Sequence, residues 1–470
     1  MATETAGDLA IVLHSHMPYV EGFGTYPFGE EWLFDAVIRS YLPVLAVARD
    51  LTMTVTPVLA DQLEDTGVAA RLRAFLREWR IGAAEADLRD APAELHPALE
   101  AERARYEQAL ALLDAAGGDP LRPFQQAAAS GRIALAASSA THAVLPLLAT
   151  RAGLRLQLDA GLRSHRRRFG WNGGFWLPEC AFAPRLGSVL AEAGVGWFCV
   201  DQSAHLADPL EALAPIATAA GPLALPIDWE AISWLWALDG YPSDPAYAQF
   251  DGKSLRGMRL WRIGGGAYQP EEAADAARRQ AGEFLAAIAA RLRRYAETRG
   301  RRGLIVFAID AELLGHWWSE GPLWLAAVLD GAAAAGVRTV DVPTALAAHQ
   351  PVERPLHAST WGEGKDLRTW DSPPVADLAW AARRLELRLL RALGTGLRGD
   401  AAARAARELL AAQASDWAFL DSRGQAGDYA FVRATDHGEA LLQAIECRYD
   451  TDPRMRSLAP DLSVAPLLEP

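Results

Sequence analysis

Over the front three-quarters of the chain, short apolar runs alternate with long stretches whose apolar residues recur at helical spacing, the pattern of a parallel sheet built from βα units. The runs predict strands over residues 9–13, 53–59, 133–137, 174–177, 195–200, 223–227, 304–309 and 337–342, enough for a barrel of seven or eight members. Between the second and third runs, from about 61 to 126, Ala, Leu, Arg and Glu recur at helical spacing for longer than one crossover helix requires, which predicts a helical insertion. From Val352 onward no strand pattern stands out, and the apolar spacing of 375–393, 401–412 and 438–447 is helical. The expected division is an α/β barrel over 1–350, carrying the insertion 61–126, followed by an all-helical region over 351–470.

Composition narrows the function. With 470 residues and 51% hydrophobic side chains the chain can bury a large core. A formal charge of −13, with lysine only at Lys253 and Lys365, argues against neutralising the phosphates of a nucleic acid. The one basic cluster, Arg163 to Arg168 with His165, is expected on a solvated helix face. The start MATETAGDLA lacks the basic and apolar segments of a signal peptide, and the odd number of cysteines (Cys180, Cys199, Cys447) suggests reduced thiols, so a cytoplasmic location is expected. Sixteen tryptophans suit flat, hydroxylated sugar rings, and Trp32, Trp229, Trp234, Trp236, Trp261, Trp361, Trp370 and Trp417 sit in loop-like or polar contexts.

Two acids then carry the argument. In FWLPECAF and VFAIDAELLGHWW an apolar strand-like run ends abruptly on Glu179 and Asp310, which is how a barrel presents catalytic groups at the carboxyl ends of its strands. Two such carboxyl groups are the minimum equipment for glycosidic bond cleavage. Asp310 precedes Glu312, His316, Trp317 and Trp318, and an acid kept near tryptophans can hold its proton at neutral pH while its partner stays ionised. Glu312 is the alternative acid. In LHSHMPYV, His14 and His16 project the same way from an extended chain. They can line a polar cleft or, with His142, His205 and Asp310, hold a divalent metal in an amidohydrolase-like site. The turn-rich segment 240–254, with Tyr241 and Tyr247, is a candidate lid that excludes water.

The segments LHSHMPYV, PFGEEWLFDAV, ATHAVLPLL, WLPECAF, GYPSDP, MRLWRI, IDAELLGHWWSEGP and SDWAFL, with the pair Trp361 and Trp370, resemble glycoside hydrolase family 57, and within it the 1,4-alpha-glucan branching enzymes. The resemblance runs through nearly the whole chain. It implies a (β/α)7 barrel with a helical insertion and an all-helical C-terminal domain, Glu179 as nucleophile and Asp310 as general acid/base, no metal and no cofactor. It further implies that His14, His142 and His316 line the donor subsite and that Trp32, Arg259, Trp261, Trp361, Trp370, Asp416 and Gln425 hold glucan, with His16 and Trp417 beside them. The implied partner is an α-1,4-glucan. A hydrolytic amylase of the same family is the alternative. Two departures stand out: Ala134 replaces a commonly acidic residue, and AYAQF lacks a basic residue after its tyrosine.

Overall fold

In the computed structural model, residues 5–25, 28–446 and 457–469 are described; Cys447 and the first four residues of the start segment lie outside them. The strands in chain order are β1 (Gly7–Ser15), β2 (Leu51–Val55), β3 (Ile133–Ser138), β4 (Gly174–Trp176), β5 (Trp197–Val200), β6 (Ile216–Ala217), β7 (Leu223–Pro226), β8 (Gly303–Asp310), β9 (Val337–Val340) and β10 (Val352–Glu353). Seven of them follow one another in parallel in the order β7-β5-β4-β3-β2-β1-β8, curling into an incomplete barrel. Just past β7, the backbone N–H of Asp228 donates to the Val306 carbonyl of β8 at 2.8 Å, a single bond across the open seam. The antiparallel β6 and the short β10 extend the far edge, and β9 pairs with the first half of β1.

β1 and β8 are buried along nearly their whole length, which is why they read as continuous apolar runs. Two predicted strands are too long, for the same reason. The run 53–59 stops at Val55 because Pro57 opens the helix Pro57–Glu64, and 337–342 stops at Val340 because Asp341 caps the helix Val342–Ala348 through the Thr344 N–H. Helices then fill the stretch to β3: Thr66–Ala74, Phe75–Ile81 and Gly82–Asp90 in one continuous run, His96–Ala115, and Arg122–Ala129. The expectation of no strand from Val352 onward misses β10, whose two residues carry no periodic signal.

The basic cluster is only partly solvated. It lies in the helix Arg151–Phe169, where Arg163, Arg166 and Arg167 are exposed while His165 and Arg168 are buried. Arg168 pairs with Asp61 at 2.8 Å and with Glu64 at 2.5 Å, tying this helix to Pro57–Glu64.

Beyond the barrel, helices Ala376–Gly394, Gly399–Ala412 and Tyr429–Ile445 form a second core around Leu385, Leu389, Leu409 and Leu441, which also takes in Val58, Ala140 and Leu156 from the barrel side, while Ala418 and Phe419 of the helix Ser415–Ser422 pack with Val144 and Trp370. Polar bonds fix the junction. The buried Glu386 carboxylate accepts the N–H groups of Ala149 (3.1 Å) and Thr150 (2.8 Å) at the start of the helix after β3. That docking carries the segment 413–417 to the carboxyl ends of the barrel strands.

Candidate active site

Glu179 stands just past β4 in a left-handed backbone conformation, φ 61° and ψ 21°, followed by Cys180 at φ 48°. His142, past β3, has φ 58°. Side-chain-bearing residues held there cost about 1–3 kcal/mol each, so the surroundings must enforce the geometry. For Glu179 the enforcing partner is Trp361. Its backbone N–H donates to the Glu179 carbonyl at 3.0 Å and its indole Nε1–H to Glu179 Oε2 at 2.8 Å. The nearby Ser415 hydroxyl also favours the ionised form of this carboxylate.

Behind Glu179 runs a chain of rings. His14 Nδ1 contacts Thr54 Oγ1 at 2.5 Å, His14 Nε2 contacts His142 Nε2 at 3.0 Å, and His142 Nδ1 contacts Ser415 Oγ at 2.9 Å, with Glu179 Oε1 3.6 Å away. With the Ser415 hydroxyl turned toward Glu179, a carboxylate that can only accept, the chain is satisfied when His142 Nδ1–H donates to Ser415, His14 Nε2–H to His142, and Thr54 to His14. Burial pushes both imidazoles well below their ordinary range, so both are neutral, as this arrangement needs. His16 differs. Burial opposes its charge, but Asp416, whose Oδ1 lies 2.9 Å from Nε2, and then Glu312 and Glu179, raise its pKa.

Asp310 ends β8 directly beside His14 in the strand register. Burial, then the neighbouring carboxylates of Glu312 and Glu179, push its pKa well above the usual range. Burial raises Glu179 too, but the bond from Trp361 and the nearby Ser415 hydroxyl favour its ionised form. Glu312 is a scaffold: it accepts the His16 N–H at 2.9 Å and the Tyr41 hydroxyl, and burial lifts it to about 7.

His14, His16, His142, Glu179, Asp310, Trp361 and Asp416 are therefore gathered in one place. Others are not positioned as expected. Trp370 and Trp417 are each only 2% exposed and pack inside the junction with the helical region, and Arg259, also 2% exposed, donates to Ser319 Oγ at 2.7 Å and to the carbonyls of Gly315 and His316. These three offer a sugar no surface; they hold up the walls. Burial, then Arg39, takes the Arg259 pKa down to about 9. The lid tyrosines face inward: Tyr241 is buried, and Tyr247 is fully buried with its hydroxyl on Gln280 at 2.5 Å. Trp32 is half-buried against Phe28 and Tyr429, Trp261 is 36% exposed on a surface hairpin, Gln425 is exposed, and half-buried His316 is pushed down to about 3 by burial. His205, which a metal reading requires, is exposed and stacks on His357; among the described residues no group of three or more His, Cys, Asp or Glu could hold a metal. Ala134 lies in the first half of β3, paired with Thr52, far from the strand's catalytic end.

Sequence reasoning missed Thr54, Tyr41 and Ser415. Ser415 could have been found beside Asp416 in SDWAFL; Thr54 has no signal beyond its place in a strand.

Two buried carboxyl groups in unlike settings, at the carboxyl ends of strands in a curled parallel barrel, define a site of the glycosidase class. The comparison with known proteins agrees. The model of glycosyl hydrolase family 57 matches residues 10–353, and that of the C-terminal region of 1,4-alpha-glucan branching enzymes matches 378–457. The chain belongs to glycosyl hydrolase family 57. It is 32% identical to a probable 1,4-alpha-glucan branching enzyme of Mycobacterium tuberculosis, over 94% of this chain and 92% of that one. The crystal structure of the family 57 branching enzyme of Pyrococcus horikoshii superposes with a TM-score of 0.90 at 28% identity, covering 98% and 97% of the two chains. That of Thermococcus kodakaraensis, in complex with glucose, gives 0.91 at 28%, covering 98% and 96%.

Proposed function

We propose that this chain is a 1,4-alpha-glucan branching enzyme that works by a retaining double displacement, with Glu179 as nucleophile and Asp310 as general acid/base. The observation that carries the assignment is the asymmetry of the two acids. Glu179 receives a hydrogen bond from an indole, and both that bond and the nearby Ser415 hydroxyl favour the anion; burial and two neighbouring carboxylates favour the protonated form of Asp310. In the first step Glu179 attacks the anomeric carbon, the bond to the leaving glucose O4 breaks, and Asp310 passes its proton to that oxygen. Asp310, now ionised, takes the proton of an acceptor 6-hydroxyl, whose oxygen displaces Glu179 and forms the α-1,6 link. The net charge of −13 suits a neutral glucan, and the buried free thiols of Cys180 and Cys199 suit a reducing cytoplasm. No helix among the described residues is long and apolar enough to cross a membrane.

Incubation with amylose, followed by NMR of anomeric protons and by reducing-end counts, tests this. New α-1,6 signals with few new reducing ends are expected. Reducing ends without branches would make the protein a family 57 hydrolase instead.

A further inference from the structure

We propose that the end of the barrel opposite the active site carries a second binding site, for a small phosphomonoester such as a sugar phosphate, in the cavity between Arg301, Arg302, Tyr295, His349 and Gln350. This cavity, of about 330 Å³, has an apolar wall of Leu213, Ala214, Pro215 and Ala348. It opens where β8 begins. From Asp8, on which Arg302 and His349 both rest, to His14 is six residues of strand, so the site stands about 20 Å from the catalytic ends.

The charge is the anomaly. In a chain with a formal charge of −13, two adjacent guanidinium groups face this cavity. The acid behind Arg302 and His349, Asp8, is fully buried and already shared among Arg302 (2.6 Å), Arg338 (2.5 Å) and His349 (2.8 Å). Arg301 has no ion pair among the described residues. Its Nε donates to the Tyr295 hydroxyl at 3.1 Å, which orients the guanidinium and leaves its terminal nitrogens to a ligand. Two neighbouring guanidinium forks on a preset base match the doubly charged, multiply accepting phosphate group better than a single carboxylate. The volume exceeds what a bare phosphate fills, and the exposed Gln350 amide and the apolar wall suit the hydroxyls and ring of an attached sugar.

Calorimetric titration of the full chain in phosphate-free buffer, with glucose 6-phosphate, inorganic phosphate, glucose and citrate as probes, decides the matter. Glucose 6-phosphate is expected to bind, more weakly as salt rises, and its affinity to fall about tenfold or more in Arg301→Gln. Gln350→Glu, which places an acid in the cavity from an exposed position, is expected to do the same. Both variants should keep the parent's melting temperature and its amylose turnover without added phosphate ester. Absence of binding at millimolar glucose 6-phosphate, or an affinity equal to the parent's in both variants, overturns the proposal. Citrate or glucose binding with the same Arg301 dependence overturns the phosphate assignment.

Discussion

Replacing Trp361 with phenylalanine isolates the bond that favours the ionised form of Glu179. The variant loses the indole donor 2.8 Å from Oε2 but keeps the main-chain bond at 3.0 Å, so the backbone of Glu179 stays fixed and the perturbation falls on the carboxylate. A hydrogen bond to a charged group is worth about 1.5–3 kcal/mol, and about 1.4 kcal/mol corresponds to one pH unit. Because the nearby Ser415 still favours the anion, the lower end of that range applies, and the pKa of Glu179 is expected to rise by about 1 unit. The catalytic form has Glu179 deprotonated, so a higher pKa removes active enzyme from the acid side. The acid limb of the kcat/KM profile, which reports the free enzyme, is therefore expected to move up by about 1 pH unit, with the basic limb, set by Asp310, in place. Measured on a soluble maltooligosaccharide across the full pH range, a lowered plateau with an unmoved acid limb would refute the reasoning. It would show that Trp361 only packs or stacks.

The other expectations are simpler. Glu179→Gln should abolish turnover while circular dichroism and melting temperature stay close to the parent; full turnover in that variant would exclude Glu179 as nucleophile. At Gly315, φ is 104° and an added Cβ would sit 1.8 Å from the Arg39 carbonyl oxygen, so Gly315→Ala should destabilise the chain by several kcal/mol in denaturant unfolding and disturb the loop that follows Asp310. Leu409→Ala, at a fully buried position of the helical core, should cost about 2–5 kcal/mol and lower activity as well, because that core positions Ser415 and Asp416.

How much of this was legible in the sequence follows from the range of the interactions involved. The strands leading to Glu179 and Asp310 were readable because burial on both faces leaves an unbroken apolar run, and the run's end is where a barrel places its chemistry. The ends of β2 and β9 were misread although Pro57 and Asp341 announce helix starts, because Val58, Leu59 and Val342 continue the apolar run into the next helix. The ring chain from Thr54 to Ser415 was not readable. It joins residues 128 and 273 positions apart, and such contacts leave no local periodicity. Tryptophan content likewise overstated the sugar platform: Trp370 and Trp417 are core residues, and only their burial in the structure separates them from Trp261.

Trp361, Ser415 and Asp416 all belong to the part of the chain made after the barrel strands, yet they contact Glu179, His142 and His16 on the barrel. During synthesis, then, a ribosome that has released the strands bearing both carboxyl groups has released a chain in which these contacts are not yet made. With Glu179 as the proposed nucleophile, its partners arrive only when the chain beyond the barrel docks, so a half-made enzyme is expected to be slow to cut the polymer it is meant to build.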